Sequence, residues 1–295
     1  MDKIYPVITV LAVLILVYIL WCLIEPFFLV LDRAAIKRSS SDKVPEVKIK
    51  KIPLNTGSTA GKPDLRFFFF SDIHAEWCPV TSKRLCKAIR NAHNQSPLDA
   101  VIFGGDTVTN AHNENFGYRY LSAVSACCKE LGIPFYGVSG NHDSKLINCS
   151  ERSGFTSLDN SSVTMASHVS GTDIVITGLP DSGRKNRVWQ TKMQCENNAP
   201  VILVVHDPDA IIHLDPDSRP DYMLSGHLHG GQMKFPFRIE FTLLKKSDKL
   251  PQMGVVQGIY DISGTTVFIS RGIGCGVFPF RFLSVPEATV AEIYL

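Results

Sequence analysis

Between residues 65 and 143 the chain repeats one pattern: a short apolar run stops at acidic, amide or imidazole residues, and a helical stretch leads to the next run. Leu65 to Ser71 runs into Asp72, Thr81 to Asn94 reads as a helix, and Ala100 to Phe103 ends in Gly104-Gly105-Asp106. Phe116 to Leu131 reads as a second helix, and Phe135 to Val138 ends in Gly140-Asn141-His142-Asp143. Strand, helix and strand joined by short links imply right-handed crossovers and parallel pairing. Further strands are expected at Ile174 to Thr177, at Val201 to Val205 before His206, and at Tyr222 to Leu224 before Gly226-His227-Leu228-His229. A hairpin across Ser263-Gly264 and a last strand near Val290 to Leu295 complete the pattern. The polar residues all fall at the carboxyl ends of strands, where α/β sheets keep their ligand crevice.

Five of the nine histidines, His74, His142, His206, His227 and His229, stand at these ends beside Asp72, Asp106 and Asn141. A lone histidine at a strand end is ordinarily structural; five together point to metal binding. Asp-x-His and His-x-His each put two donors on one turn, so both can converge on one ion or straddle a neighbouring pair. Carboxylate, imidazole and amide donors without thiolate suit Mn²⁺ first, with Fe or Zn²⁺ as alternatives. So many donors exceed one tetrahedral ion and suit two ions sharing a carboxylate. Two divalent ions about 3.5 to 4 Å apart clamp the attacking and leaving oxygens of an in-line displacement at phosphorus. Hydrolysis of a phosphate ester or anhydride is the expected chemistry.

The N-terminus adds a different constraint. Ile4 to Ile24 contains no charged residue, and 21 residues at helical rise reach roughly 30 Å, the thickness of a bilayer's hydrocarbon core. A retained transmembrane helix is expected over 4–31, in preference to a cleaved signal or a core helix, because no small-residue cleavage site precedes Glu25-Pro26. Tyr5, Tyr18 and Trp21 suit the interfacial belts. Lys3 alone precedes the helix, whereas Arg33, Lys37, Arg38, Lys43, Lys48, Lys50 and Lys51 follow it, which places the C-terminal bulk in the cytoplasm at the cell membrane. These charges are either topology signals or a patch that also attracts anionic headgroups. Residues 32–64 therefore read as a basic juxtamembrane segment and linker, with a possible edge strand at Val47 to Lys50 and a Gly/Ser/Thr-rich loop from Asn55 to Pro63. Residues 65–295 form one domain.

Composition narrows the class further. With 45% hydrophobic and 20% charged residues the chain is globular, which excludes disorder and a disulfide scaffold. A net charge of +2 is too mild for a dedicated nucleic-acid binder, and no nucleic-acid partner is expected. The 8 cysteines form no CxxC pair and read as reduced thiols.

Asp72-Ile73-His74, Gly104-Gly105-Asp106, Gly140-Asn141-His142-Asp143, His206 and Gly226-His227-Leu228-His229 stand in the order and spacing of the calcineurin-like metallophosphoesterases, which the chain resembles over roughly 65–295. The resemblance implies an α/β fold with two central mixed β-sheets flanked by helices, an αββα sandwich. It implies one ion held by Asp72, His74, Asp106 and His229 and another by Asp106, Asn141, His206 and His227. It gives His142 the role of the histidine that contacts the phosphate and assists the leaving oxygen without ligating metal. His206-Asp207-Pro208-Asp209, the stretch from Gly226 to Gln232, Ser270-Arg271-Gly272-Ile273-Gly274 and Pro286-Glu287 are similar to a membrane-anchored bacterial phosphodiesterase branch. That branch includes the chlamydial-type UDP-2,3-diacylglucosamine pyrophosphatases of lipid A biosynthesis, so the resemblance implies a lipid-linked or nucleotide-containing phosphate substrate. The chain departs from protein Ser/Thr phosphatases, because Gly105-Asp106-Thr107-Val108 lacks their Asp-Arg-Gly continuation and Asp143 stands where they carry Glu. Asp143 and Asp207 read as partners that orient ligands. Arg271 either offers its guanidinium to a phosphate or sits in an ion pair. A tethered phosphodiesterase for soluble substrates and a non-catalytic scaffold of the same fold are the competing readings.

Overall fold

The structure, a computed structural model, describes residues 4–44, 46–53, 61–146, 148–181, 199–235, 239–241 and 247–295. The loop read over 55–63 lies mostly outside them. In chain order the elements are α1 (Ile4–Ile24), β1 (Val30–Lys37), β2 (Ile49–Ile52), β3 (Leu65–Phe70), α2 (Ser82–Gln95), β4 (Ala100–Phe103), α3 (Glu114–Leu131), β5 (Phe135–Gly137), α4 (Cys149–Ser153) and β6 (Thr156–Ser157). They continue with β7 (Ser162–Ala166), β8 (Asp173–Leu179), β9 (Val201–Val205), α5 (Ala210–His213), β10 (Tyr222–Ser225), α6 (Lys249–Gln252), β11 (Gly258–Ile262), β12 (Thr265–Ile269) and β13 (Glu287–Tyr294).

Two mixed sheets result, one ordered β1-β13-β3-β4-β5-β6 and the other β2-β11-β12-β10-β9-β8-β7. Strands β3 to β6 pair in parallel, as the strand-helix-strand pattern predicts, whereas β13 runs antiparallel to β3. The two-residue period of a strand sorts the core. Phe67 and Phe69 of β3 face the space between the sheets, with Ile102, Val204, Leu224 and Phe268. Phe68 and Phe70 face the other way, onto Leu85 and Ile89 of α2 and Leu121 and Val124 of α3. In β9, Ile202 and Val204 join the inter-sheet core while Leu203 and Val205 pack outward with Ile211 and Leu250. Strands with both faces buried explain why these runs are continuously apolar. Thr81 accepts a hydrogen bond from the Arg84 N–H, so the helix expected from Thr81 to Asn94 begins at a side-chain cap on α2.

Residues 32–64 are more than a linker. β1 pairs over its whole length with β13, Val30 opposite Glu287 through Lys37 opposite Tyr294, and β2 pairs with β11. Each sheet thus gains an edge strand from the segment after α1, with Ala34 and Ile36 fully buried. β2 overlaps the edge strand expected at Val47 to Lys50, and β1 is an additional one, because β13 needs a hydrogen-bonded neighbour and the inter-sheet core needs cover at its margin. Arg33 pairs with Glu292 at 2.6 Å and Arg38 with Asp221 at 2.7 Å, so part of the basic stretch is committed to the domain's own carboxylates.

Candidate metal centre

The loops after β3, β4 and β5 in one sheet meet the residues after β9 and β10 in the other. The ends of β3 and β4 are stitched together: the Asp72 N–H donates to Gly105 O and the Ile73 N–H to Asp106 O, both at 2.8 Å. Asp72, His74, Asp106, His227 and His229 all adopt positive φ, between 42° and 69°. That left-handed backbone costs a non-glycine residue on the order of 1–2 kcal/mol and reverses the chain sharply, so neighbouring donors point inward together. Glycines make the remaining room. A Cβ on Gly140 would stand 2.3 Å from Asp106 Oδ1, and one on Gly226 would stand 2.5 Å from Asp72 Oδ2.

Two buried groups form, Asp72 with His74 and His229, and Asp106 with His206 and His227. In the first, His74 Nε2 and His229 Nε2 are 3.2 Å apart and His229 Nε2 lies 3.4 Å from Asp72 Oδ1. In the second, His206 Nε2 is 3.3 Å from His227 Nδ1 and 3.1 Å from Asp106 Oδ2. The same Asp106 oxygen is 3.5 Å from His74 Nε2, while Oδ1 accepts the His142 N–H at 2.9 Å. One carboxylate oxygen therefore stands between the groups. Asn141 Oδ1 is buried with no hydrogen-bond partner.

The hydrogen bonds behind the imidazoles say which nitrogens carry lone pairs. His206 Nδ1 faces Gly104 O at 2.7 Å, an acceptor only, so Nδ1 holds the proton and Nε2 is bare. The Thr109 hydroxyl donates to Gly276 O at 3.0 Å and must accept from His74 Nδ1 at 3.0 Å, which leaves His74 Nε2 bare. His227 Nε2 lies 3.6 Å from Asp248 Oδ2 and 4.0 Å from Asp207 Oδ2, which turns Nδ1 toward His206. Acceptors facing acceptors at 3.1 to 3.3 Å need a cation between them, and two ligands of one ion at about 2.1 Å stand about this far apart. The residues fit a divalent pair, and thiolate is absent from both groups, which favours hard or borderline ions.

Without a cation, protons take that place. Burial alone would lower His206, but the carboxylates of Asp106 and Asp72 hold its imidazole well above the usual range. Burial raises Asp106, yet the facing imidazoles of His206 and His74 outweigh it and hold its carboxyl well below the ordinary value. Burial, aided by Asp106, pushes Asp72 up. Asp143 accepts the N–H groups of Asp106, Thr107 and Gly140 at 2.8 to 2.9 Å, and burial still pushes it up to about 6.

The calcineurin-like phosphoesterase family matches residues 65–231. The chain is a calcineurin-like metallophosphoesterase. It is similar to the uncharacterized metallophosphoesterase YkoQ of Bacillus subtilis, 27% identical over 258 residues that cover 84% of this chain and 91% of that one. It is also similar to the uncharacterized metallophosphoesterase YkuE of the same organism, 31% identical over 208 residues covering 67% and 68%. The phosphodiesterase YaeI of Escherichia coli is 27% identical over 239 residues, 77% of this chain and 82% of its own.

The other residues singled out in this metallophosphoesterase divide. His142 stands beside the donors and outside both groups, its ring edge-on to His74 with centroids 5.2 Å apart and its Nδ1 2.9 Å from Thr109 O. Arg271 Nη2 pairs with Asp32 at 2.9 Å and its Nε with Glu287, so the guanidinium is occupied by carboxylates. The ion pair, one of the two roles open to it from sequence, is present. Thr109 and Asp248 escaped the sequence reading. Neither lies in a motif, and only the fold brings them to the backs of His74 and His227.

Proposed function

We propose that this metallophosphoesterase is held in a membrane by α1 with its domain on the cytoplasmic face, and that it uses two Mn²⁺ ions to hydrolyse a phosphodiester or pyrophosphate in a lipid-linked substrate. UDP-2,3-diacylglucosamine is the specific candidate. The observation that carries the hydrolytic part is the position of Asp106 Oδ2, within 3.1 and 3.5 Å of histidines from both donor groups. The membrane part is supported by α1, fifteen of whose large apolar side chains from Tyr5 to Ile24 are 39% to 67% exposed, while Tyr18 and Cys22 near its end turn to the domain. A hydrophobic span of 23 residues ends at Phe27. The basic excess after it supports the cytoplasmic orientation. The E. coli relative's name supports diesters as a substrate class.

In this reading Asp72, His74, Asp106 and His229 hold one ion, and Asp106, Asn141, His206 and His227 the other. Bound divalent ions supply an activated water and stabilise charge on the phosphoryl oxygens. His142 keeps one proton on Nδ1 for Thr109 O, which fixes the ring and aims Nε2 at the leaving oxygen, so that the imidazolium form, with its second proton on Nε2, can give that proton up there. Asp143 fixes the β4 and β5 loops against each other through three backbone N–H groups, so Asp106 and Asn141 keep their relative position.

The test is the manganese-loaded full chain in detergent, assayed against UDP-2,3-diacylglucosamine, its deacylated analogue and simple phosphodiesters. The acyl chains supply remote binding energy, so kcat/KM is expected to fall by orders of magnitude on deacylation. Equal kcat/KM on soluble diesters would replace the lipid reading with a tethered phosphodiesterase. A reporter that works only after export, fused at Leu295, is expected to stay silent; activity would reverse the orientation.

A further inference from the structure

Residues 277–283 read Val-Phe-Pro-Phe-Arg-Phe-Leu. Val277, Phe278 and Leu283 are 64%, 63% and 60% exposed, whereas Arg281, the one charged residue, is fully buried. A surface loop in water ordinarily does the reverse. Arg281 is consumed inside the turn. Its Nε donates to Gly274 O at 3.1 Å, its Nη1 to Ser284 O at 2.8 Å and its Nη2 to Arg271 O at 3.0 Å. The guanidinium thus ties the loop's carbonyls together, which lets the apolar side chains point outward without exposing a soft backbone.

The loop is also fastened to the end of α1. The Arg281 N–H donates to Cys22 O at 3.1 Å, and the buried Glu25 carboxylate accepts the N–H groups of Leu283 and Ser284 at 2.9 and 2.5 Å. Phe282 meets Tyr18 edge-on, with ring centroids 4.8 Å apart. Tyr18 lies six residues before the helix ends at Ile24, roughly 9 Å back along the axis at helical rise. The loop therefore runs beside the last two turns of the apolar helix. Phe27 and Phe28, just past the helix end, are 59% and 46% exposed and extend the same apolar surface.

Its other side reaches the metal centre. Ser284 Oγ donates to the carbonyl of His229 at 2.6 Å. Gln232 joins Gly276 N at 2.8 Å to Phe278 O at 3.0 Å, and a Cβ on Gly276 would stand only 3.8 Å from His229 Nε2. The apolar surface and the donor groups share one rim.

We propose that residues 277–283, with Phe27 and Phe28, form an apolar collar that sinks into the interfacial layer of a lipid bilayer, so that the metal centre opens onto the headgroup region and takes phosphate groups carried by membrane lipids. The proposal rests on the reading of α1 as a membrane anchor. The occupant is a bilayer because the collar is continuous with the end of that helix and lies at its depth. A phosphate in a headgroup then reaches the histidines without its lipid leaving the membrane.

Tryptophan quenching in the full chain tests this. The chain carrying Phe278→Trp is reconstituted in vesicles of phosphatidylglycerol and phosphatidylcholine, the latter spin-labelled near the glycerol, and compared with the unchanged chain. Val169→Trp, at an exposed apolar position on the turn after β7 at the far edge of the second sheet, serves as the control. The added emission at 278 is expected to be quenched several-fold more than that at 169, with a blue shift. Leu283→Trp gives the same readout should Phe278→Trp misfold. Carbonate extraction of the same vesicles separates the two levels. Release of the chain overturns both the anchor and the collar. Retention with unquenched emission at 278 and 283 overturns the collar alone, and a blue shift without quenching would mean that protein, such as a second copy, covers it.

Discussion

The two donor groups have the same chemistry and different supports. His206 and His227 are held from within the sandwich, by Gly104 O and by Asp207 and Asp248, while Asp143 fixes the Asp106 backbone. Asp72, His74 and His229 are held by loops that cross over from outside it. The Gly274 N–H binds Asp72 O at 2.8 Å, Thr109 bridges His74 to Gly276, and Ser284 holds His229. Those loops in turn clasp the end of α1 through Glu25. The Asp106 group thus leans on the sheets, whereas the Asp72 group leans also on the junction with the helix, so disturbances at the junction fall chiefly on the Asp72 group.

The largest expected effect abolishes the distinction. Asp106→Asn removes the oxygen that faces both groups, so activity is expected to drop by most of its value and metal content, read by elemental analysis, to fall. Two ions still tightly bound in Asp106→Ala would break the shared-carboxylate assignment. Next in size, His142→Ala is expected to keep both ions and lose roughly 10² to 10⁴-fold in turnover, with a smaller loss for a nitrophenolate leaving group that needs no proton. Equal losses on good and poor leaving groups would leave His142 an electrostatic role only.

Asp248→Asn sharpens the contrast. It loosens His227 alone, so affinity for one of two ions is expected to weaken about 10 to 100-fold while the other is unchanged, as read by calorimetric titration. Acid acts on the same side. The cation-free pKa of His206 is raised by Asp106 and Asp72, so its proton persists at a pH where an ordinary imidazole is neutral. Binding a cation there must release that proton, and affinity at this group is expected to fall about tenfold per pH unit below the raised pKa. Loss of both ions in one step on acidification would erase the difference between the groups. The smallest effect is on the other side: Ser284→Ala removes one hydrogen bond to His229, about 1 kcal/mol or roughly fivefold in affinity for the first ion. An equal loss at the second ion would show that the supports are shared after all.

Much of this was legible in the residues because buried parallel strands announce themselves as apolar runs, and their polar stops mark the carboxyl edge. β3, β4, β5, β9 and β10 and the seven candidate donors after them follow from that logic, and positive φ at five of these donors is the conformational counterpart of Asp-x-His and His-x-His turns. β1 was hidden, since Val-Leu-Asp-Arg-Ala-Ala-Ile-Lys carries little strand signal of its own and pairs only because β13 lies open beside it. Thr109, Asp248 and Ser284 were hidden for the same reason: a single hydroxyl or carboxylate becomes a support only when folding sets it behind an imidazole or, for Ser284, against the His229 carbonyl.

The sequence by itself determined the layered α/β class, the order of the donors along the strand ends and the apolar helix at the front, because periodicity and residue chemistry are local properties. Only the tertiary structure decided that Asp106 turns one oxygen to both donor groups, that Arg271 spends its charge on Asp32 and Glu287, and that Glu25 joins α1 to the loop behind His229. Each of those joins residues from 16 to 259 positions apart, and pairings across such distances are settled by how the layers pack.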